Sequence, residues 1–500
     1  MEKRPNVLFI MTDQFNARCI GVKGSQVRTP NIDMIAKDGI LLDRAYCNNP
    51  ICGPSRVSFI TGQYPHTHGI FANDIYELDS ENDKTIAAVF RKMGYQTALV
   101  GKSHMIRKWD AEGFEYIKYC DLTDCDRNNP LENHYFRYLY ERGLVEKYDL
   151  GSLREGHPGK NMRAFDSDIP GEHCVENWTG NTAVEFIRNR DERRPFFLLL
   201  SFQRPHDPLS VPHDVGLLYD PDEIELPKSA AELFEKKFAS KPDIMRKILN
   251  RTGGYPYVPS DESDLKRQLA YYYSLITLID EQIGKVIYEL KSKNLYENTI
   301  IVFTADHGDF AGEHGLMFKN IGIYESIHRI PFIIKYPCCE KGKIVKEMVE
   351  SVDLFPTLCS LCDIDIPSEV EGINILQVLE NCKKGKEKVF CEWEFPYYYD
   401  KKICAVRTEN YRMVYYGQSC EGELYDIAND PYEMQNLYSS PEYKDVRYSL
   451  LEIMFDFVNS YSVKAPKKMD NIIGQKNKYS LTRMIHKAKV DWGEISGILK

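Results

Sequence analysis

Five apolar runs rich in β-branched and aromatic residues punctuate the chain: Asn6–Met11, Gln96–Val100, Phe196–Phe202, Thr299–Thr304 and Phe332–Ile334. Turn-forming residues bound each of them, which predicts strands. Between them the apolar period lengthens. From about Leu265 to Lys291, Leu269, Tyr272, Ile276, Ile279, Ile283, Val286 and Leu290 recur at helical spacing. Asn31–Asp38 and Asp83–Met93 read as shorter helices. Strands alternating with helices predict an α/β sheet covered by helices on both faces. In such sheets the chemistry collects at the carboxyl ends of the strands, so polar residues directly after a strand are the candidates.

The pattern changes after about residue 380. Val389–Glu394, Ile403–Arg407, Tyr411–Tyr416 and Gly422–Asp426 read as short strands separated by turns, and Glu442–Tyr461 reads as a helix. The expected division is a large domain over 1–380, a small antiparallel sheet with one packed helix over 381–465, and a tail over 466–500. The tail is basic and polar, with Lys467, Lys468, Lys476, Lys478 and Lys487. It reads as a solvated arm, with an arm that contacts another subunit as the alternative. Residues 106–180 lack a clear period and are rich in Tyr, Asp, Asn and Gly, as expected of a long excursion over the active face. There is no internal repeat.

Bulk properties narrow the function. Five hundred residues exceed one small core, and 43% hydrophobic with 28% charged residues is ordinary for a globular protein. A formal charge of −10 argues against nucleic acid as a partner, since binders of nucleic acid carry a basic stripe. It leaves an anionic substrate open, because local cations can dominate inside a cleft. No run is apolar and long enough to span a bilayer, and the opening run is too short for a signal-peptide core, so a cytoplasmic location is expected and no membrane partner. The 14 cysteines include Cys338-Cys339 and Cys359-x-x-Cys362 without a second pair at zinc spacing, which favours reduced structural thiols. Asn177-Trp178-Thr179 and Asn250-Arg251-Thr252 match the glycosylation sequon, without significance if the chain stays in the cytoplasm.

The informative segment is Pro50-Ile51-Cys52-Gly53-Pro54-Ser55-Arg56-Val57-Ser58-Phe59-Ile60-Thr61-Gly62. Cys followed by x-Pro-Ser-Arg, then an apolar turn ending in Thr-Gly, resembles the sulfatase maturation motif. Further segments follow in the order found in sulfatases: Thr29-Pro30-Asn31-Ile32-Asp33, Gly94 to His104, Pro205-His206-Asp207-Pro208, Thr304-Ala305-Asp306-His307-Gly308-Asp309 and Glu423-Leu424-Tyr425-Asp426. One position departs, since Ser103 stands where an aromatic residue usually precedes His104. The resemblance covers about residues 5–460. It implies an alkaline-phosphatase-like fold: a large mixed sheet flanked by helices, with a small C-terminal antiparallel sheet plus helix.

It also implies that a formylglycine-generating maturation enzyme oxidises Cys52 to formylglycine, an aldehyde that hydrates to a geminal diol. An ordinary Ser or Cys nucleophile would leave a sulfated enzyme that water must attack at a crowded anionic sulfur. A geminal diol avoids this, because its second hydroxyl can expel sulfate. Taken without its context, Cys52 is only a buried thiol at a helix start. A metal should activate the diol. Asp13 and Asp306-His307 each follow a strand, so they can converge although distant in sequence. Their oxygens suit one hard divalent cation; Ca2+ is favoured, with Mn2+ or Mg2+ as alternatives. Many relatives carry two Asp at the first position and Asp-Asn at the second. Here the pairs are Asp13-Gln14 and Asp306-His307, so the expected ligands are Asp13, Gln14, Asp306, His307 and the converted Cys52.

The resemblance assigns the remaining roles. Lys102 and Lys319 should meet the charge of the sulfuryl group. Arg56 should brace the diol and the maturation turn. His206 is the candidate acid for the leaving alcohol, with Lys319 beside it, and His104 could take the second diol proton. Asn73 resembles a substrate-facing Asn of the choline-sulfatase and phosphonate-hydrolase branches. His66, His68, His314 and His328 receive no role. The expected activity is hydrolysis of a small sulfate ester, whether carbohydrate, aryl or alkyl, and a homo-oligomer is compatible with it. The rival is a phosphonate monoester or phosphodiester hydrolase, which often carries Asp-His and Asp-Gln in its metal set. A non-catalytic sulfo-glycan binder would have no need of Cys52, Arg56, Lys102, His206 and Asp306 together.

Overall fold

A computed structural model of the protein describes residues 4–73, 85–104, 113–122, 130–148, 164–235, 238–239, 241–249, 258–319, 322–395, 399–417, 419 and 421–459. The tail over 466–500, the second sequon and parts of the excursion over 106–180 lie outside them.

Asn6–Asp13 is buried at all eight positions and forms the middle of a nine-stranded mixed sheet. A strand covered on both faces has no reason to alternate apolar with polar residues, which is why it appears in the sequence as a continuous run. Phe196–Pro205 and Thr299–Ala305 flank it in parallel, with Val7 opposite both Phe197 and Ile300. Gln96–Gly101 extends the sheet in parallel beyond Phe196–Pro205. These four strands therefore end on one edge, and the residues that follow them meet there. On the other side, Phe332–Lys335 runs antiparallel to both Thr299–Ala305 and Ile40–Tyr46, and Lys343–Glu350 closes the order beside Ile40–Tyr46. The long helix spans Glu262–Ser292 and starts at Asp261, whose side chain accepts from the Asp264 N–H. The shorter helices are Pro30–Asp38 and Ile86–Lys92, the second capped by Thr85.

The segment 106–180 holds more structure than its composition suggests. Tyr116–Tyr119 is the parallel edge strand beside Gln96–Gly101, and His134–Glu141 and Val175–Asn189 are helices. A half-buried edge strand of four residues is too short to show a period. Ile40–Tyr46 and Lys343–Glu350 are likewise strands that the run criterion passes over, because Asp43-Arg44 and Lys346-Glu347 interrupt them.

Lys388–Phe395, Tyr399–Thr408, Tyr411–Tyr416 and Glu421–Asp426 make a four-stranded antiparallel sheet. Here the alternation is plain, and each face has its own partner. Cys391, Trp393, Ile403, Ala405, Val414, Tyr416 and Tyr425 pack against Ile51, Phe310, Leu316, Tyr324 and Ile327 of the large sheet's loops. Phe390, Val406, Met413 and Leu424 pack against Leu450, Met454 and Phe457 of the helix Lys444–Asn459. Trp393 is the largest fully buried side chain among the described residues. Trp393→Ala is expected to lower the unfolding free energy by about 3–5 kcal/mol, the usual range for deleting a buried aromatic. A urea melt checks this; an unchanged midpoint would mean that the face is not a packed interface.

Candidate active site

Asp13 ends its strand, and Lys102, His206 and Asp306 follow theirs, so four neighbouring strands deliver all four to one edge. The close approach at Gly101 is part of the placement. Its φ is +101°, and a Cβ there would stand 1.8 Å from the Ser201 carbonyl oxygen, so only glycine lets the strand turn. The Lys102 N–H then donates to that carbonyl at 2.9 Å.

Cys52 is the first residue of the helix Cys52–Thr61 and is fully buried. Its Sγ stands where the oxygens of a formylglycine would be. It lies 3.5 Å from Asp13 Oδ1 and 3.3 Å from His307 Nε2, and it accepts from Lys319 Nζ at 2.9 Å. Ile51 provides no side-chain cap for this helix. Instead Asn73 Oδ1 accepts the Gly53 N–H at 2.9 Å, and Asn49 Oδ1 accepts the Ile51 N–H at 2.9 Å. Asn73, expected to face substrate, is exposed and thus also secures the turn that holds Cys52.

One turn further on, Arg56 is a buried hub. Its Nε donates to Asp306 Oδ2 at 2.8 Å, and one Nη donates to both Ser201 Oγ at 2.8 Å and the Lys102 carbonyl at 3.0 Å. The other lies 3.4 Å from Asp13 Oδ2. Lys102 Nζ forms an ion pair with Asp13 Oδ2 at 2.5 Å. Burial alone would raise the Asp13 carboxyl, but Lys102, His206, Lys319 and Arg56 outweigh it and hold it well below the usual range. Asp306 feels the same upward push from burial and from Asp13, and is held down by His307, Arg56 and Lys102. Burial pushes the Cys52 thiol up to about 11, with Asp13 adding to it and Lys319 and Lys102 opposing.

Asp13, Cys52, Asp306 and His307 each offer a ligand atom, and these four atoms lie within 4.8 Å of one another. His307 Nδ1 faces the Gly308 carbonyl at 2.8 Å, which can only accept, so Nδ1 carries the proton and Nε2 presents its lone pair. Burial and Lys319 depress this imidazole to about 3, so it is neutral. Lys319 Nζ stands 3.0 Å from Nε2, already a cation on that lone pair. Gln14 completes the fit. Its φ is +65°, a strained value for a side-chain-bearing residue, held by its N–H donating to Asp306 Oδ1 at 3.0 Å. Its Nε2 donates to Asp309 Oδ2 at 2.8 Å, which leaves Oε1 buried with no hydrogen-bond partner among the described residues. Two ionised carboxylates, an imidazole lone pair and an orphaned amide oxygen suit a divalent cation.

His206 joins the group through its charge interactions with Lys319, Asp13 and Lys102. Burial and Lys319 lower it to about 4, and Nδ1 donates to the Asp207 carbonyl at 2.6 Å, so Nε2 carries a lone pair. His104 Nδ1 is 2.9 Å from Asp121 Oδ2. The four histidines left without a role in the sequence serve the scaffold: His66 pairs with Glu392, His68 with Ser58, His314 with Glu232 and His328 with Arg412.

Several contributors escape a reading of the sequence. Ser201 had a signal, as the one polar residue within Phe196–Phe202. Asp309 had one too, standing in the same segment as Asp306-His307; it holds Gln14 and accepts from the Ala311 and Phe318 N–H groups. Asp121 and Glu392 had none. The sequon Asn177 is tied into the helix Val175–Asn189, its side chain bonded to the Gly171 carbonyl and to Lys285.

The family model described as Sulfatase matches residues 5–364, and that of the N-sulphoglucosamine sulphohydrolase C-terminal region matches residues 312–460. An arylsulfatase of Clostridium perfringens is 31% identical, over 88% of this chain and 92% of its own length. An N-acetylglucosamine-6-O-sulfatase of Bacteroides thetaiotaomicron is 25% identical, over 94% of this chain and 89% of its own. Among solved structures, the phosphonate monoester hydrolase of Agrobacterium radiobacter superposes with a TM-score of 0.75 at 22% identity, covering 91% of this chain and 95% of its own. That likeness speaks for the shared fold.

Proposed function

Since this chain belongs to the sulfatase family, we propose that it hydrolyses a small sulfate ester to an alcohol and inorganic sulfate, using a formylglycine made from Cys52 and one divalent metal. The observation that carries this is the convergence of Cys52, two carboxylates and three fixed cations in one buried cluster. Arg56, Lys102 and Lys319 outnumber the charges of Asp13 and Asp306, so the cluster attracts an anion even before a metal adds to it.

Asp13, Gln14, Asp306 and His307 are the proposed ligands, with Ca2+ favoured over Mn2+ or Mg2+. The ion, when bound, supplies positive charge that favours an ionised oxygen at position 52 and offsets the charge of the sulfuryl group. The formylglycine hydrate supplies the nucleophile. The chain's own residues do the rest. Arg56 ties the first turn of the Cys52 helix to Asp306, so nucleophile and ligand keep one geometry. Lys102 and Lys319 meet the sulfuryl oxygens as charge redistributes. His206 is neutral at rest, and the anionic group of an arriving substrate favours its imidazolium, which then delivers a proton from Nε2 to the leaving oxygen. His104, oriented by Asp121, accepts the proton whose loss accompanies sulfate release. The implied partner is a maturation enzyme that acts on the Cys52–Arg56 segment. Among the described residues no helix is long and apolar enough to cross a membrane.

Phosphonate monoesters are the second reading, favoured by Gln14 and His307 at the metal positions. Charge does not separate them from sulfate esters, since both carry one negative charge; a phosphate monoester carries nearly two at neutral pH. The expected result is a kcat/KM for the best sulfate ester at least about a hundredfold above matched phosphonates and phosphodiesters, about 2.7 kcal/mol of transition-state stabilisation. Leaving groups must be matched, since their acidity alone could mimic the difference. Equal or better phosphonate turnover would move the assignment to the second reading.

A further inference from the structure

Arg204 lies at the end of the strand Phe196–Pro205, two residues before His206, and is 4% exposed. One Nη donates to the His206 carbonyl at 3.0 Å and also to the Pro208 carbonyl. The other donates to Ser210 Oγ at 2.7 Å. Its Nε stands 3.6 Å from Glu176 Oε1, and neither of these two buried atoms has a hydrogen-bond partner among the described residues. A planar guanidinium thus fastens three points of the turn that carries His206. The orientation of the imidazole depends on that turn, because His206 Nδ1 donates to the Asp207 carbonyl at 2.6 Å. The two carbonyls that Arg204 holds are those on either side of this acceptor. Whatever fixes the backbone of 206–208 therefore fixes which ring nitrogen carries the proton and which one is presented to substrate.

A buried ion pair at 3.6 Å is a weak means of stabilising a fold, since desolvating both charges offsets their attraction. A neutral turn would do the structural task without a charge. A rigid fork of donors is what a fixed geometry requires, and lysine cannot supply it. We propose that Arg204 is a positioning residue for His206, setting the Nδ1–H tautomer and the direction of Nε2, and through them the turnover of sulfate esters with poorly acidic leaving alcohols. The proposal rests on the reading of His206 as the residue that protonates the leaving group.

The test compares Arg204→Lys with His206→Asn in the matured, metal-loaded enzyme. Substrates are aryl sulfates with phenols of graded acidity and one alkyl sulfate. In Arg204→Lys the 15N shifts of the His206 ring, assigned by their loss in His206→Asn, should leave the Nδ1–H tautomer pattern. Turnover of the alkyl sulfate should fall at least about fiftyfold while 4-nitrophenyl sulfate falls less than about fivefold, because general acid catalysis matters most where the leaving group is poor. His206→Asn should steepen the leaving-group dependence in the same way, and the double variant should lose little more. An unmoved ring tautomer in Arg204→Lys overturns the proposal, as does an equal loss across the whole substrate series when His206→Asn steepens it. A moved tautomer with a flat series in His206→Asn upholds the positioning and retires the acid role instead.

Discussion

Cys52→Ala lowers kcat by at least about 10^5-fold while the protein keeps its fold, since losing a nucleophile removes the reaction path and not merely one stabilising contact. The substitution deletes a single buried sulfur. The helix Cys52–Thr61 keeps the Asn73 and Asn49 contacts at its start and the Arg56 hub one turn on. The same reasoning covers protein in which Cys52 is left unmodified. Burial holds that thiol protonated at neutral pH, and Lys319 and Lys102 have not brought it into the reactive range. Peptide mass spectrometry of active protein should show a carbonyl in place of the thiol at position 52. Full activity in protein carrying only the thiol would refute the assignment.

Asp306→Asn abolishes metal binding and reduces turnover together, by at least about a thousandfold. Asp306 serves three donors at once: Arg56 Nε, the Gln14 N–H and the His307 N–H. The amide keeps the shape but removes a charge, which leaves Asp13 as the only carboxylate among the proposed ligands and Arg56 short of its closest anion. Metal analysis of the purified variant should read near zero where the parent carries about one ion per chain. Undiminished activity of the parent after exhaustive chelation, with metal content verified, would sink the metal requirement itself.

How much of this was legible in the sequence follows from what makes a feature local. Asp13 and Asp306 could be read because a polar residue after a continuous apolar run marks a strand's carboxyl end. Cys52 and Arg56 could be read because Cys52-Gly53-Pro54-Ser55-Arg56 is contiguous and resembles the sulfatase maturation motif. Gln14 is an expected ligand by its place beside Asp13, but its left-handed backbone and its tether to Asp309 depend on the loop after Thr299–Ala305, almost three hundred residues away. Arg204 looks like any arginine beside a proline until the turn folds back on it. Glu392, which pairs with His66 and whose carbonyl accepts from Asn49, sits in a strand whose pattern speaks only of a small sheet. The two strands Ile40–Tyr46 and Lys343–Glu350 were passed over for the opposite reason: their charged positions break the apolar run, and only pairing with a neighbour gives them a strand's identity.

The complete burial of Cys52 also sets a clock. Asp13 and Asn49 precede it in the chain, but the rest of its enclosure is made after it: Lys102, Ser201, Asp306, Lys319 and finally Glu392, which braces the segment ahead of it. On the proposed conversion, a maturation enzyme acting on the Cys52–Arg56 segment would have to reach Cys52 before it is buried, since the finished fold offers a closed helix start. The window for that conversion would then run from the emergence of this segment during synthesis to the docking of the later strands. Faster folding would shorten that window, so a variant that folds more readily would yield less active enzyme, and the active fraction of a preparation would record a race between two rates.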